Sequence, residues 1–289
     1  MTTLPHPSDI DLLGLTLDPD RRHGRFELVA PLVRPDGALY GGTAIAASVV
    51  AMEAATARPA LWVTTQFVAS ARIGDVLECT TDVWAMGGRI AQVQVTGRCG
   101  DQVVFMSLGS TADPREGGME GQYQTMPAVG PPEDADDTPF GPPHSHDAPG
   151  FTARVEYREA AALDQEEPTA PVLLWARLTG GLAATPAGIG FLADMVPAAI
   201  FRAAGMLRDG TQPMGATSLD NSLRFGRVPS DQEWLLLEMR GHMAAGGSAH
   251  GSVFVWTPDG LLVAVGGQSA KMVQARRAVA TPMDGPGAS

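Results

Sequence analysis

Residues 191–205 read FLADMVPAAIFRAAG, an almost wholly apolar stretch that holds one carboxylate, Asp194. An ionised carboxylate is expensive to bury without a partner. Asp194 therefore either caps the helix that follows it, with Pro197 tolerated in the first turn, or holds a reacting molecule. A second anomaly is Gln268, whose amide ends the run LLVAVGG where another aliphatic residue is expected. An exposed strand face would explain it equally well. A carboxylate that takes a proton, and an amide that both donates and accepts, are groups that steer a water molecule. Competing chemistries lack their motifs. The chain has no Gly-x-Ser-x-Gly elbow, no Gly-x-x-x-x-Gly-Lys-[Ser/Thr] phosphate loop and no His-Glu-x-x-His.

The elements that must position these residues come in two similar sets. After a short β-rich run at 25–31, TAIAASVVAMEAATA (43–57) predicts a helix with Thr43 as N-cap. Ile45, Val49 and Met52 share one face, Ala fills most other positions, and Glu53 is the single charge. A helix apolar all round is buried. Four β-rich runs follow at 61–71, 76–86, 89–99 and 102–112, joined by Gly-Asp, Gly-Gly and Cys-Gly-Asp turns that suit hairpins. Beyond residue 150 the plan repeats: β-rich runs at 152–159 and 172–178, an apolar helix expected over 195–207, then runs at 216–227, 233–244, 248–257 and 261–273. Asp75 answers Asp231 at an offset of 156, and Val103 answers Leu261 at 158. A near-constant offset marks a duplication.

A buried Ala-rich helix followed by long antiparallel strands fits a sheet wrapped around that helix, because Ala lets sheet backbone come close. The expected fold is α+β, a double hotdog of two antiparallel sheets each around a central helix. The expected division is an N-terminal hotdog over 1–112, a Pro-, Gly- and acid-rich linker over 113–150, a C-terminal hotdog over 151–275 and a tail over 276–289. His144 and His146 lie in the linker, and two histidines alone do not make a metal site. No metal and no cofactor is expected.

The composition excludes several partners. The 289 residues include 32 acidic and 20 basic ones, a formal charge of −12 that repels nucleic acid and anionic membranes. No long apolar span and no signal segment are visible, so the expected location is cytoplasmic. Cys79 and Cys99 are too few for a disulfide framework and read as ordinary thiols of a reducing compartment.

The order ATSLDNSLRF (216–225), EWLL (233–236) and PDGLLVAVGGQSAKM (258–272) resembles the type II acyl-CoA thioesterases, the TesB-like family. The stretch LYGGTAIAAS (39–48), the Arg-x-Gly-Asp at 72–75 and TMPAVGPPED (125–134) extend the resemblance from about residue 22 to 273. It implies hydrolysis of an acyl-CoA thioester to free acid and CoA by an Asp, a hydroxyl residue and a Gln. The matching positions are Asp194, Ser218 and Gln268, with Ser218 where the family usually has Thr. Two positions depart from the family: Asn221 stands for its usual His and Arg224 for its usual Trp, a difference expected to alter the pocket wall.

In physical terms, Asp194 would take a proton from water while Ser218 and Gln268 hold that water. With an ordinary pKa of about 4, its orientation would matter more than its basicity. Backbone N–H groups of Gly41, Gly42 and Thr43 at the other helix's start are the candidate oxyanion donors. Asp220, two residues from Ser218 and expected on the same strand face, competes for the carboxylate role. At the offset of 158, Gln268 corresponds to Ser110, so the first half lacks the amide. One active site per chain, where the halves meet, is the expectation. The alternatives are a hotdog enoyl-CoA hydratase, which needs a His near Asp194, and a non-catalytic acyl-CoA binder. Sheet edges of this fold tend to pair, which implies a homo-oligomer.

Overall fold

The computed structural model describes residues 4–115, 117–137, 150–160, 167, 170–179, 184–203, 214–229 and 232–274. In the first half, helix α1 (Pro7–Leu13) precedes strands β1 (Thr16–Leu17) and β2 (His23–Glu27). Helix α2 (Gly41–Thr56) and strands β3 (Ala60–Phe67), β4 (Val76–Met86), β5 (Ile90–Cys99) and β6 (Gln102–Ala112) follow. The second half has β7 (Asp136–Asp137), β8 (Val155–Glu159) and β9 (Val172–Leu178), then helices α3 (Pro186–Leu192) and α4 (Val196–Ala203). It closes with β10 (Met214–Phe225), β11 (Leu235–Ala245), β12 (Ser248–Trp256) and β13 (Leu262–Gln274).

Among the described residues the strands form one antiparallel sheet in the order β1-β2-β4-β5-β6-β3-β10-β13-β12-β11-β9-β8-β7. The order β2-β4-β5-β6-β3 of one half is mirrored by β9-β11-β12-β13-β10 of the other, so the double hotdog is present. The two expected sheets are continuous, because β3 pairs with β10 from Trp62–Arg224 to Gln66–Asp220. Both ends of the sheet are two-residue strands, β1 and β7. Strands this short offer little backbone to a second copy, so edge pairing no longer supports an oligomer.

Helix α2 is buried along nearly its whole length, as its lack of a polar face requires. It begins two residues earlier than expected. Its N-cap position is Tyr40, which makes no side-chain cap, and Thr43 lies inside the first turn with its hydroxyl donating to the Leu32 carbonyl at 2.9 Å. Thr43 is therefore not the cap.

The second-half helix differs more. The segment expected as one helix over 195–207 is helical only from Val196 to Ala203, its last four residues lie outside the described chain, and a separate helix, α3, precedes it. Pro197 explains the break, since its ring clashes with the carbonyl four residues back and it has no N–H to give. Thr185 caps α3, accepting from the Gly188 N–H at 3.0 Å, with Pro186 at the first helical position. Helix α4 packs on glycines: a Cβ at Gly251 would lie 2.7 Å from the Val196 side chain, and one at Gly241 would lie 3.0 Å from the Ala199 carbonyl.

The described part of the expected linker is fastened to the second half. Gln122 donates to the Gly260 carbonyl at 3.0 Å and accepts from the Leu262 N–H at 2.7 Å. Met126, Val129 and Ala135 cover a cluster of Leu173, Trp175, Trp234, Leu236 and Trp256, and β7 pairs with β8. His144 and His146 lie outside the described residues. Cys79 and Cys99 are free thiols, and burial pushes the Cys79 thiol up to about 12. No helix among the described residues is long and apolar enough to cross a membrane.

Candidate active site

Asp194 occupies the turn between α3 and α4, buried against the start of α2. Its carboxylate accepts hydrogen bonds from the Gly42 N–H, from Gln268 and from the Ser218 hydroxyl. Asp194 thus caps a helix, but the helix is α2 of the first half. The exposed N–H groups and positive dipole end of α2 meet a carboxylate supplied from the second half. Two glycines make this approach possible. A Cβ on Gly41 would collide with Asp194 Oδ2 and lie 2.9 Å from the Phe67 ring, and a Cβ on Gly42 would strike the Phe191 carbonyl. Tyr40 fixes the contact from the other side, donating to the Phe191 carbonyl at 2.8 Å while its ring stacks on Phe151 at 3.8 Å.

Gln268 reaches in from β13. Its Nε2 donates to Asp194 Oδ1 at 2.5 Å and to Ser218 Oγ at 2.7 Å. The three side chains expected to work together are thus in mutual contact. Ser218 arrives on β10 by way of a bulge. Ser218 stands opposite Ala270, Asp220 opposite Ser269 and Asn221 opposite Gln268, which leaves Leu219 as the extra residue. On a regular strand, side chains three apart point to opposite faces. The bulge absorbs one residue, and Ser218 and Asn221 both face inward.

The same bulge removes the rival carboxylate. Asp220 faces the other side of the sheet, where its Oδ1 accepts from the Ser269 N–H at 2.8 Å. Arg224 is also not brought to the cluster. It is an odd number of residues beyond Asn221 on regular strand, and its guanidinium lies on the outer face, 4.8 Å over the ring of its cross-strand partner Trp62. Asn221 is buried beside Gln268, with 1% of its surface exposed.

Burial pushes the Asp194 carboxyl up to about 7. Donation from Gln268, the Gly42 N–H, the nearby Arg34 charge and Ser218 each pull it down, and burial outweighs them. The expectation of an ordinary, weak carboxylate is therefore corrected: Asp194 titrates where a general base works best at neutral pH. The oxyanion expectation also changes. The Gly42 N–H is given to Asp194, and the Thr43 N–H donates to the Tyr40 carbonyl at 3.0 Å. Gly41 remains the glycine nearest the carboxylate.

Several residues of the site were not picked out from sequence. Arg34 donates to the Ala216 carbonyl at 3.5 Å and pairs with Asp36. Tyr40 and Tyr157 have phenols raised mainly by burial and further by the Asp194 charge. A Tyr directly before the Gly-Gly pair was a readable signal for Tyr40. Arg34 and Tyr157 carried none, because their relevance comes from distant packing. The histidines His242 and His250 sit on the exposed face, where His242 bonds Ser252 at 2.7 Å.

In sequence, residues 30–112 match the family model described as the acyl-CoA thioesterase N-terminal domain, and residues 132–272 match the one described as its C-terminal domain. No curated protein sequence matches the chain. Among solved structures, a provisionally named thioesterase from Novosphingobium aromaticivorans DSM 12444 superposes with a TM-score of 0.78 at 28% identity, covering 88% of this chain and 97% of that one. The tesB protein of Mycobacterium avium subs paratuberculosis gives 0.74 at 18% identity, covering 92% and 98%. Acyl-CoA thioesterase II TesB2 of Mycobacterium marinum gives 0.71 at 18%, covering 93% and 99%. The last two likenesses concern the fold. With both halves matched in order over most of its length, the chain belongs to the acyl-CoA thioesterase family and is a thioester hydrolase with a double-hotdog fold.

Proposed function

We propose that the protein hydrolyses an acyl-CoA thioester to the carboxylic acid and CoA by direct attack of water, with Asp194 as general base and Ser218 and Gln268 as the groups that aim it. The observation that supports this most is the shared amide nitrogen of Gln268, which donates to both the carboxylate and the hydroxyl. In this scheme Asp194 takes a proton from water as the oxygen bonds to the thioester carbon. The tetrahedral intermediate collapses, the C–S bond breaks, and the CoA thiolate leaves and takes up the proton that Asp194 holds, which returns the carboxylate to its ionised form. A thiolate is a good leaving group, because a thiol's pKa of about 8.5 is far below that of an alcohol. The aim of the water matters as much as the basicity of its acceptor.

A hydratase reading requires a His beside Asp194, and the polar and charged groups that act on Asp194 among the described residues are the Gly42 N–H, Ser218, Gln268, Arg34 and the two tyrosines. Release of free thiol from acyl-CoA esters of graded chain length, followed with a thiol-reactive dye, tests the proposal. Asp194→Asn is expected to lower kcat by ~10²–10⁴ with the circular-dichroism spectrum unchanged. Binding of every ester without thiol release would favour a carrier over an enzyme. Sedimentation of the purified protein decides whether it also forms the homo-oligomer expected from its sequence, which its two-residue edge strands do not support.

A further inference from the structure

Four consecutive cross-strand partners in one inward-facing row of the sheet are polar: Ser107 on β6, Thr65 on β3, Asn221 on β10 and Gln268 on β13. All four are buried. The first-half part of the row is closed on itself. Thr65 Oγ1 and Ser107 Oγ are 2.8 Å apart, Ser107 Oγ and Ser48 Oγ are 2.7 Å apart, and Ser48 donates to the Ala44 carbonyl. The second-half part is open. Both heteroatoms of Asn221 and the Oε1 of Gln268 are buried and have no protein partner. A buried polar atom left unpaired costs about 1–3 kcal/mol, so three at adjoining positions mark a place where something else bonds.

Their chemistry says what fits. Whichever way the Asn221 amide is turned, it offers a donor and an acceptor, and Gln268 Oε1 adds a second acceptor. One water molecule, donating twice and accepting once, satisfies all three.

We propose that Asn221 is a positioning residue of the site, bridged through one buried water to Gln268 Oε1. The bridge fixes which end of the Gln268 amide faces the carboxylate. With its oxygen held on the Asn221 side, the nitrogen must point to Asp194 and Ser218. A turned amide would set its oxygen against the Asp194 carboxylate. The groups that face Asp194 are the α2 N–H of Gly42, the Arg34 charge, the phenols Tyr40 and Tyr157, Ser218 and Gln268. Of these, Gln268 is the strongest pull toward the ionised form. Loss of its donation therefore moves the carboxylate's titration upward. This role rests on the hydrolase reading above for its kinetic readout, but not for its geometry.

The test compares Asn221→Thr with Asn221→Val, two side chains of like shape that differ by a hydroxyl. The readouts are thiol release across pH and thermal midpoints. Asn221→Val is expected to lower kcat ~10-fold with little change in KM and to shift the acidic limb of kcat upward by about one pH unit. Asn221→Thr is expected to recover most of both. A wild-type acidic limb in Asn221→Val, whatever its stability, overturns the proposal. If neither variant folds, or if the wild type releases no thiol from any ester and so defeats the hydrolase reading, an atomic-resolution structure of the wild type decides. A water within hydrogen-bond distance of both Asn221 and Gln268 supports the bridge, and an Asn221 satisfied by protein atoms alone refutes it.

Discussion

Gln268 Nε2 lies 2.5 Å from Asp194 Oδ1, although 74 residues separate the two in the chain. The contact joins the last strand of the second half to a carboxylate that caps the first half's helix. In doing so it ties an apolar turn, a bulged strand and a helix N-terminus into one cluster.

That cluster sets a pH dependence. In the proposed mechanism Asp194 takes the proton only when ionised, and burial holds its carboxyl up at about 7. Thiol release is expected to rise with pH and to reach half of its plateau near that value, read from kcat/KM against pH, which reports the free enzyme's groups. A profile flat down to pH 5 would mean that Asp194 ionises as an ordinary carboxylate or does not act as the base.

The same burial costs stability. Asp9, Asp194 and Glu53 are buried carboxyls pushed up to about 6, about 7 and about 8, chiefly by desolvation. A folded-state value above the unfolded one means that the stabilising contribution is complete below about pH 4 and is lost as pH rises through 6 to 8. The thermal midpoint is expected to fall between pH 5.5 and pH 8.5. Asp194→Asn should narrow that fall and raise the midpoint at pH 8.5, as calorimetry at the two pH values would show.

Asp220 provides a control for the assignment of the base. Its carboxylate faces outward and accepts from the Ser269 N–H. Asp220→Asn should leave kcat within about threefold of the wild type. A loss as deep as that of Asp194→Asn would mean that the wrong carboxylate has been placed in the site.

Gly41 is where backbone and carboxylate meet most closely. A methyl group there would collide with Asp194 Oδ2 and crowd the Phe67 ring. Gly41→Ala is expected to cost up to ~10² in kcat by displacing the carboxylate, measured beside a thermal midpoint that shows the protein still folded. Full activity would show that the turn carrying Asp194 yields without consequence.

The sequence by itself determined the parts of this protein whose cause is local. An Ala-rich run with one charge has no polar face, so α2 had to be buried, and strand patterns joined by glycine turns had to form a meander. The repeat of both announced the doubled fold. Asp194 and Gln268 were visible because each broke an apolar run. Even the missed helix α3 had a local signal in Thr185-Pro186, obscured by its two glycines.

Tertiary structure decided what depended on register and on distant partners. Alternation along 216–221 put Ser218 and Asp220 on one face, and the Leu219 bulge separated them, because a bulge answers to the pairing strand and not to its own residues. The capping alternative for Asp194 pointed to its own helix, yet the helix it meets is α2, since Gly42 and the Phe191 carbonyl come together only once the halves are packed. Its titration near neutral pH follows from that burial. The polar row from Ser107 to Gln268 exists only where β3 and β10 join, so no reading of either half alone could place Asn221 in it.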